Sequence, residues 1–315
     1  MPVYNAQTTR ENAAPLVPVQ ISDEIIKEAP AASQVLSRAR KLRNMTSKES
    51  RMPVLSSLPL AYFVSGDTGL KQTTKVEWEN VAIVAEELAV IVPIAENLID
   101  DSSVPIWSEV KPLINEALGV AIDNAVLFGT DKPSTWPEAI WTQAIAKNHA
   151  VDVPAANPDF YKLLLEKDGL FTKVEEDGYG VDGIISHLSM KASLRGVRDT
   201  SGRPIFVDDM KSTTPYAIGG APVSFPDNGV MSDPTKLMIL GAWNNLVYAI
   251  RKDITWKFLD QATISDADGK VIYNFAQNDM VGMRVVMRLG FAMPNPVSRI
   301  KPRAQRYPFA VLKTA

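Results

Sequence analysis

The chain has 315 residues, of which 46% are hydrophobic and 22% are charged. This length is enough for about two domains, or one elaborated domain, with a sizeable core. The formal net charge of −3 excludes a general electrostatic attraction to nucleic acid. Contact with a polyanion would therefore have to come from local basic segments.

The sequence contains no cysteine and only two histidines, His149 and His187. Disulfides and thiolate metal sites are excluded. No run approaches the roughly 18 apolar residues of a membrane span, and the opening letters MPVYNAQTTREN lack the basic-then-apolar order of a signal peptide. We expect a protein that has no membrane partner and acts in a soluble compartment.

The N-terminal part is predicted to be an arm followed by two helices. Residues 1–20 are polar and then proline-rich, which favours an extended segment that needs another surface to lie on. Ser22 begins a short helix that Pro30 ends. Ser33 is the predicted cap of a second helix, which should run to about Arg43.

Residues 52–80 are predicted to form a long hairpin. The apolar stretch MPVLSSLPLAYFV leads into the turn cluster SGDTG, and LKQTTKVEWEN then alternates between polar and apolar side chains. A two-stranded ribbon is marginally stable alone in water, so it should lie against its own chain or a neighbour. Residues 81–94 are strongly apolar and predict a strand in a well-buried sheet.

A long helix should follow, because apolar residues recur at spacings of three and four from Val110 to Ala125. Ser102 or Ser103 can cap it, and Gly129 stands where a helix commonly ends in a left-handed residue. Pro112 predicts a kink, or a helix start later than Ser103.

The remaining helices and strands show no regular strand-helix-strand repeat, which favours an α+β fold over a doubly wound sheet. Asp268 and Gly269 suit a tight hairpin turn. The other predicted elements are a helix from Asn157 to residue 177, a strand in VDGIIS, a helix from His187 to Arg195, paired strands in LMILGAWNNLVYAIRK with a turn at Trp243 to Asn245, and a strand from Met280 to Met293.

Two stretches imitate phosphate-binding motifs. GTDKPS, residues 129–134, lacks the glycine directly before lysine, and it lies at a helix C-terminus, which presents carbonyls instead of N–H groups. GYGVDG, residues 178–183, satisfies G-x-G-x-x-G but follows a helix and precedes a strand, the reverse of the dinucleotide fold. We predict no cofactor site in either.

Other candidate chemistry is also weak. Asp266 and Asp268 lack the remaining ligand positions of a calcium loop. The two histidines are far apart with no supporting motif, so His149 and His187 are expected to be ordinary surface or packing residues. We predict no catalytic, cofactor or metal site. The acidic doublets Asp100-Asp101, Glu175-Glu176 and Asp208-Asp209 could supply paired carboxylates, although neighbours in sequence usually point apart.

Two basic segments stand out from the near-neutral whole. Residues 38–51 carry six Lys or Arg against one Glu, and residues 299–313 carry five against no acid. Each is either a solvated charge run, the more common situation, or a surface that faces nucleic acid.

In order along the chain, eight stretches resemble the major capsid proteins of tailed bacteriophages with the Hong Kong 97-type shell fold. The resemblance spans nearly the whole chain. The stretches are VPVQISDEIIKEA, the hairpin of residues 52–80, EELAVIVPIAENLIDDS, INEALGVAIDNAVLFGTDKP, LRGVRDTSGRPIF, IGGAPVSF, LGAWNNLVYAIRKDI and MVGMRVVMRLGFAMPNP.

This resemblance implies an α+β capsid fold in four parts. They are an N-terminal arm of residues 1–51, an extended hairpin loop of residues 52–80, a peripheral domain of residues 81–144 and 279–315 with a spine helix at about 103–128, and an axial domain of residues 145–278.

The implied function is that of a major capsid protein, which self-assembles through pentamers and hexamers into an icosahedral shell around double-stranded DNA. It would act in the virion, after assembly in the host cytoplasm, without enzyme activity or cofactors. Its partners would be copies of itself, with room for a scaffold protein, a portal and a decoration or cement protein. The alternatives are an encapsulin-type compartment shell and, from another class, a soluble oligomeric enzyme.

The resemblance also implies which residues meet other molecules. Some relatives cross-link a ribbon lysine to an asparagine, but no partner asparagine is identified and we predict no cross-link. Arg38, Arg40, Lys41 and Arg43 are candidates to face the packaged DNA through weak contacts. The expected inter-subunit residues are Leu55, Leu58, Leu60, Tyr62, Phe63, Lys71, Lys75 and Trp78.

Overall fold

The computed structural model describes residues 33–63, 71–103, 105–156, 158–198, 206, 216–266 and 268–314. The predicted arm of residues 1–20 and the predicted helix from Ser22 to Pro30 lie outside these ranges. In chain order the elements are α1 Gln34–Arg38, β1 Arg40–Lys41, β2 Glu49–Ser57, β3 Glu77–Val84, β4 Glu86–Ala95, α2 Glu96–Asp101, α3 Ile106–Leu127, α4 Ile140–Ala146, β5 Ala150–Val153, α5 Phe160–Leu165, α6 Leu170–Glu175, β6 Gly183–Ser186, α7 Met190–Arg195, β7 Ala217–Ile218, β8 Ala221–Ser224, β9 Lys236–Gly241, β10 Val247–Leu259, β11 Thr263–Ser265, β12 Val271–Asn274, α8 Phe275–Asn278, β13 Met280–Ala292 and β14 Phe309–Thr314.

A four-stranded sheet carries the long helix. Its order is β1-β10-β13-β4, and β13 pairs antiparallel with both β10 and β4. Ile114 and Leu118 of α3 pack on Met283 and Val285 of β13. The apolar stripe of the helix is therefore buried against this sheet, as its period predicts.

The helix α3 begins at Ile106, later than Ser103, and contains Pro112 in its interior. It ends where predicted: Gly129 has φ +79, and its N–H donates to the Ala125 carbonyl. Only glycine adopts this left-handed conformation at little cost. No helix in the described residues is long and apolar enough to cross a membrane.

A six-stranded sheet forms the second half of the core, in the order β5-β14-β9-β6-β8-β7. Its central strands are almost completely buried, because helices and loops cover them. Trp243 and Phe309 meet edge-to-face at 5.0 Å between ring centroids in this core.

The prediction that the run from Leu237 to Lys252 forms paired strands is wrong. Strand β9 belongs to the six-stranded sheet and β10 to the four-stranded one. Between them, Trp243–Asn245 form a 3₁₀ turn, which the Asp182 carboxylate binds by accepting from the backbone N–H of Trp243 at 2.7 Å and of Asn244 at 3.1 Å. The turn therefore transfers the chain from one sheet to the other.

The strand pairing departs from the predicted division in two places. Strand β14, assigned to the peripheral segment 279–315, lies inside the six-stranded sheet between β5 and β9. Strand β10, assigned to the axial segment 145–278, pairs with β13 in the four-stranded sheet. Each sheet contains strands from both segments, because a strand belongs to the sheet with which it forms hydrogen bonds, whatever its position along the chain.

Three predicted elements differ in extent. The helix after Ser33 ends at Arg38 instead of Arg43, because residues 40–41 pair with β10. The helix expected over residues 157–177 is two helices, separated by a turn in which Asp168 has φ +69, and its cap is Asp159. The apolar run over 81–94 is split between β3 and the edge strand β4, whose side chains are half-buried or exposed.

A buried carboxylate joins α1 to α3. Asp123 accepts hydrogen bonds from the Ser33 hydroxyl at 2.5 Å, the Gln34 N–H at 2.8 Å and the Val35 N–H at 3.0 Å. Ser33 also caps α1 as predicted, since its hydroxyl accepts from the Leu36 N–H. Burial raises the pKa of Asp123, and these three hydrogen bonds oppose the rise.

A second buried carboxylate, Asp177, joins the segment after α6 to the C-terminal part of the chain. One oxygen accepts from Lys301 Nζ at 2.8 Å; the other accepts from the Tyr307 N–H at 2.7 Å and lies 3.1 Å from His149 Nε2. Arg306 Nε donates to the Asp177 backbone carbonyl at 2.7 Å. The charge of Asp177 is therefore surrounded by donors, as a buried anion requires.

His149 is buried beside this carboxylate, so it is a packing residue with polar partners and not a surface one. Its Nδ1 donates to the Phe309 carbonyl at 3.0 Å. Burial lowers the pKa of His149, while the charge of Asp177 and the bond to Phe309 act in the opposite direction.

Replacing the first carboxylate should destabilise the subunit. Asp123→Ala leaves two backbone N–H groups and a hydroxyl without their acceptor, so we expect the free energy of unfolding to fall by about 2 kcal/mol in denaturant titrations. The control Asn115→Ala, on an exposed position of the same helix, should change it little. Equal values for the two variants would contradict this role of Asp123.

The subunit should lose stability in mild acid through His149. Its folded pKa is lowered, so the unfolded chain, with a pKa of about 6.5, binds the proton more readily and gains free energy as the pH falls below that value. Unfolding midpoints measured from pH 7.5 to 5 should therefore fall less steeply for His149→Gln than for the parent. Equal slopes for His149→Gln and the parent would contradict this assignment.

Candidate assembly surfaces

The predicted hairpin is present as a two-stranded ribbon of β2 and β3, paired antiparallel from Glu49 opposite Val84 to Leu55 opposite Trp78. Its strands begin earlier and end later along the chain than the predicted 52–80. Residues 64–70, which contain the turn, lie outside the described residues. The ribbon makes a separate two-stranded sheet and joins neither large sheet.

Large apolar side chains are exposed on the ribbon and on the residues that follow β2. Leu60 and Trp78 are each 68% exposed, Phe63 is fully exposed and Tyr62 is 43% exposed. Aromatic side chains of this kind supply most of the binding free energy where they become buried between proteins. A monomer in water gains nothing from exposing them.

The other predicted inter-subunit residues are less uniform. Leu55 and Leu58 are half-buried, and Lys71 and Lys75 are exposed. Lys75 forms an ion pair with Glu77, the first residue of β3. Of the eight residues, Leu55 and Trp78 lie opposite each other on the paired strands, and the other six lie between them along the chain.

The base of the ribbon, which is its pair of strands β2 and β3, lies against the chain's own C-terminal segment. The Val297 N–H donates to the Leu55 carbonyl at 3.1 Å, and Arg299 Nη2 donates to the Pro59 carbonyl at 2.6 Å. Arg303 forms an ion pair with Glu79. The expectation that the ribbon needs a second surface is met at its base by the chain itself.

A second exposed apolar surface is the short hairpin of β11 and β12. The consecutive residues Val271, Ile272 and Tyr273 are all exposed, and so is Phe258 at the end of β10. The sequence predicts the turn of this hairpin correctly, and Gly269 has φ +82. This apolar surface was not predicted. Three consecutive apolar residues in a two-stranded hairpin point to both of its faces, and this pattern would have indicated it.

The first basic segment divides into two parts. Arg38 is half-buried, its Nη1 donates to the Gln34 carbonyl at 3.1 Å, and burial lowers its pKa against the opposing charges of Asp123 and Asp182. Arg40, Lys41 and Arg43 are exposed. Arg38 therefore belongs to the α1 junction, and the other three remain candidates to face a polyanion.

The second basic segment is used within the subunit. Its residues pair with acids or carbonyls of the same chain, so an open basic surface is not available there. The contacts are Arg299 to Pro59, Lys301 to Asp177, Arg303 to Glu79, Arg306 to Asp177 and Pro296, and Lys313 to Asp152.

The two imitations of phosphate motifs have structural roles. GTDKPS follows the C-terminus of α3, and Lys132 Nζ donates to the Trp136 carbonyl at 3.2 Å. GYGVDG lies between α6 and β6, with Gly178 at φ +77. Both therefore have the order of elements that argues against a nucleotide site.

The acidic doublets are not assembled into one site. Asp100 and Asp101 are exposed at the end of α2, and Glu175 and Glu176 are exposed at the end of α6. Asp208 and Asp209 lie outside the described residues. Within the described ranges, no group of three or more His, Asp or Glu could hold a metal ion.

A cleft of about 410 Å³ lies between α3 and β4. Its wall is mainly apolar and includes Leu88, Val120 and Leu289. The acid Glu86 at its rim accepts a hydrogen bond from Thr135 at 2.9 Å. The cleft offers apolar contact and lacks a convergent set of reactive groups in the described residues.

Comparison with known proteins gives consistent relatives. Residues 13–302 match the model of the phage capsid family. The major capsid protein of Staphylococcus phage 80alpha is 24% identical over 276 residues, which cover 86% of this chain and 79% of that protein.

Solved structures agree over almost the whole chain. A chain from Microbacterium phage Oxtober96 is 32% identical, covers 98% of this chain and 100% of its own length, and superposes with a TM-score of 0.83. One from Mycobacterium phage Cain is 31% identical, with 98% and 99% coverage and the same TM-score. The capsid of a native GTA particle, at 16% identity and a TM-score of 0.70, shares the fold.

These relatives favour neither the encapsulin nor the enzyme alternative. The match of one family model over most of the chain agrees with the α+β architecture and its projecting ribbon. The chain therefore belongs to the phage capsid family, has the Hong Kong 97-type shell fold and serves as a phage major capsid protein.

Proposed function

We propose that this subunit assembles through pentamers and hexamers into an icosahedral shell around double-stranded DNA, and that the ribbon lies on a neighbouring copy. The observation that carries the proposal is the row of exposed Leu60, Tyr62, Phe63 and Trp78 on a ribbon whose base is already occupied. Burying them between copies removes a large apolar area from water.

The geometry favours association into closed rings. A ribbon on one subunit that meets a different surface on the next makes a heterologous contact, which closes into a ring when the rotation between copies allows it. Obligate interfaces of this kind commonly bury about 2,000 to 5,000 Å². The exposed β11–β12 hairpin supplies further apolar area for contact between copies.

The proposal gives each part of the fold a role. The four-stranded sheet with α3 forms the peripheral body, and the six-stranded sheet forms the axial body that meets its copies at the vertices. The roles of the two sheets follow their strand pairing.

Arg40, Lys41 and Arg43 would face the packaged DNA. Three exposed cations on a chain with net charge −3 make weak, salt-sensitive contacts with phosphates. The C-terminal basic segment is omitted, since its charges are paired within the subunit.

The remaining parts of the proposal concern the setting of assembly. Assembly takes place in the host cytoplasm, without enzyme activity and without a membrane, and the finished subunit is part of the virion. A scaffold protein, a portal and a decoration or cement protein are compatible partners.

Removing the ribbon's aromatic side chains should block assembly without unfolding the subunit. In the double variant Phe63→Ser and Trp78→Ser, both changes are at exposed positions, so thermal unfolding of the unassembled subunit should be nearly unchanged. Shells seen by electron microscopy should be lost. The control, Phe63→Leu with Trp78→Phe, keeps apolar area and should assemble; normal shells from the serine variant would contradict the proposal.

Neutralising the exposed basic triplet should weaken DNA binding and its salt dependence. For Arg40→Gln, Lys41→Gln and Arg43→Gln together, the slope of log affinity against log salt should become shallower by about 0.9 for each phosphate that the protein no longer neutralises. Fluorescence anisotropy with short duplex DNA and assembled rings measures it. Lys162→Gln, Lys167→Gln and Lys270→Gln remove the same charge from other exposed positions, and an equal change there would sink the assignment.

A further inference from the structure

The C-terminal segment of residues 294–308 connects β13 of the four-stranded sheet to β14 of the six-stranded sheet. On the way it crosses the base of the ribbon. We propose that this segment, called the brace, sets the direction of the ribbon, with Arg299 and Arg303 as positioning residues and Asp177 as the fixed point. The link to assembly, although not to ribbon direction itself, depends on the function proposed above.

One end of the brace is fixed in the core. Asp177, Arg306 and Tyr307 are all buried, and Asp177 binds Lys301 and the Tyr307 N–H through its carboxylate. The guanidinium of Arg306 also lies 4.3 Å from the ring centre of Tyr179. A buried, fully hydrogen-bonded charge of this kind resists displacement.

The brace is also cross-linked within itself. The Asn295 side-chain amide donates to the carbonyls of Arg303 and Arg306, both at 3.0 Å, and its oxygen accepts from the Tyr179 hydroxyl. These bonds close the segment into a compact loop. A movement at Asp177 is therefore carried to Arg303 through a few hydrogen bonds.

The other end contacts both strands of the ribbon. Val297 and Arg299 bind backbone carbonyls of Leu55 and Pro59, on and just after β2. Arg303 pairs with Glu79 on β3. Contacts to both strands fix a direction, which one contact to a single strand would not.

The two ends differ in burial. The fixed end is inside the core, whereas Arg303 and Glu79 have 31% and 59% of their side-chain surface exposed. An exposed ion pair contributes little to folding stability and is screened by salt. The ribbon end of the brace is therefore suited to directing the ribbon more than to stabilising the fold.

Charge reversal tests this role. Arg303→Glu places two carboxylates together and should release the ribbon, so amide hydrogen exchange over 49–57 and 77–84 should become roughly five- to tenfold faster, with global unfolding nearly unchanged. Glu79→Arg should do the same. The double variant restores opposite charges and should recover the parent exchange rate.

A matched control is present in the same chain. Lys313 and Asp152 form an ion pair of nearly the same exposure, 33% and 56%, far along β14. Lys313→Glu should leave exchange in the ribbon unchanged. Ribbon exchange unaffected by Arg303→Glu, or not recovered in the double variant, would overturn the brace.

The same variants separate the two proposals. If Arg303→Glu accelerates ribbon exchange, reduces the yield of shells, and the double variant restores both, brace and ribbon contact are supported together. If exchange accelerates while shells form at the parent yield, the brace is supported and the ribbon's role in assembly is contradicted.

Discussion

A two-stranded ribbon cannot bury its own faces, and most of what distinguishes this subunit follows from that constraint. The segment 294–308 contacts Leu55, Pro59 and Glu79, whereas Phe63 and Trp78 are exposed to solvent. The subunit is thus a folded body whose ribbon and β11–β12 hairpin expose apolar side chains. In the function proposed above, a second copy of the chain covers these exposed side chains.

Three carboxylates bind backbone N–H groups within the folded body; Asp123 and Asp177 are buried, whereas Asp182 is exposed. Asp123 holds α1 on the long helix, Asp177 holds the C-terminal segment, and Asp182 holds the turn between the two sheets. In each case the donors include backbone N–H groups at the start or end of an element, where the regular pattern leaves them unpaired. These three segments are therefore held in place by hydrogen bonds to a carboxylate.

The sequence indicated much of this fold because local patterns are sufficient for single elements. The apolar stripe of α3, its end at Gly129 and the turn at Gly269 were all predicted and confirmed. Pairings between strands that are not joined by a hairpin turn were not, since alternation identifies a strand without identifying its neighbour. For that reason β9 and β10 were wrongly paired, and β14 was not predicted as a strand.

The inter-subunit residues came from the resemblance and stay a prediction. Nothing in the sequence around Asp177 indicates a buried charge with partners far along the chain. The basic C-terminal segment looked like an open cationic surface until its acids and carbonyls were located in space. A charged residue lies in solvent only when the fold brings no acid or carbonyl of the same chain close to it.

Both sheets join strands from opposite halves of the chain: β4 with β13, and β5 with β14. Neither sheet can form from one half alone, so loop closure must precede most of the stabilising contacts. Such a topology folds slowly compared with a helical protein of the same size, and its apolar strands stay open to aggregation meanwhile. This chain is therefore most prone to aggregation between its synthesis and the completion of the two sheets.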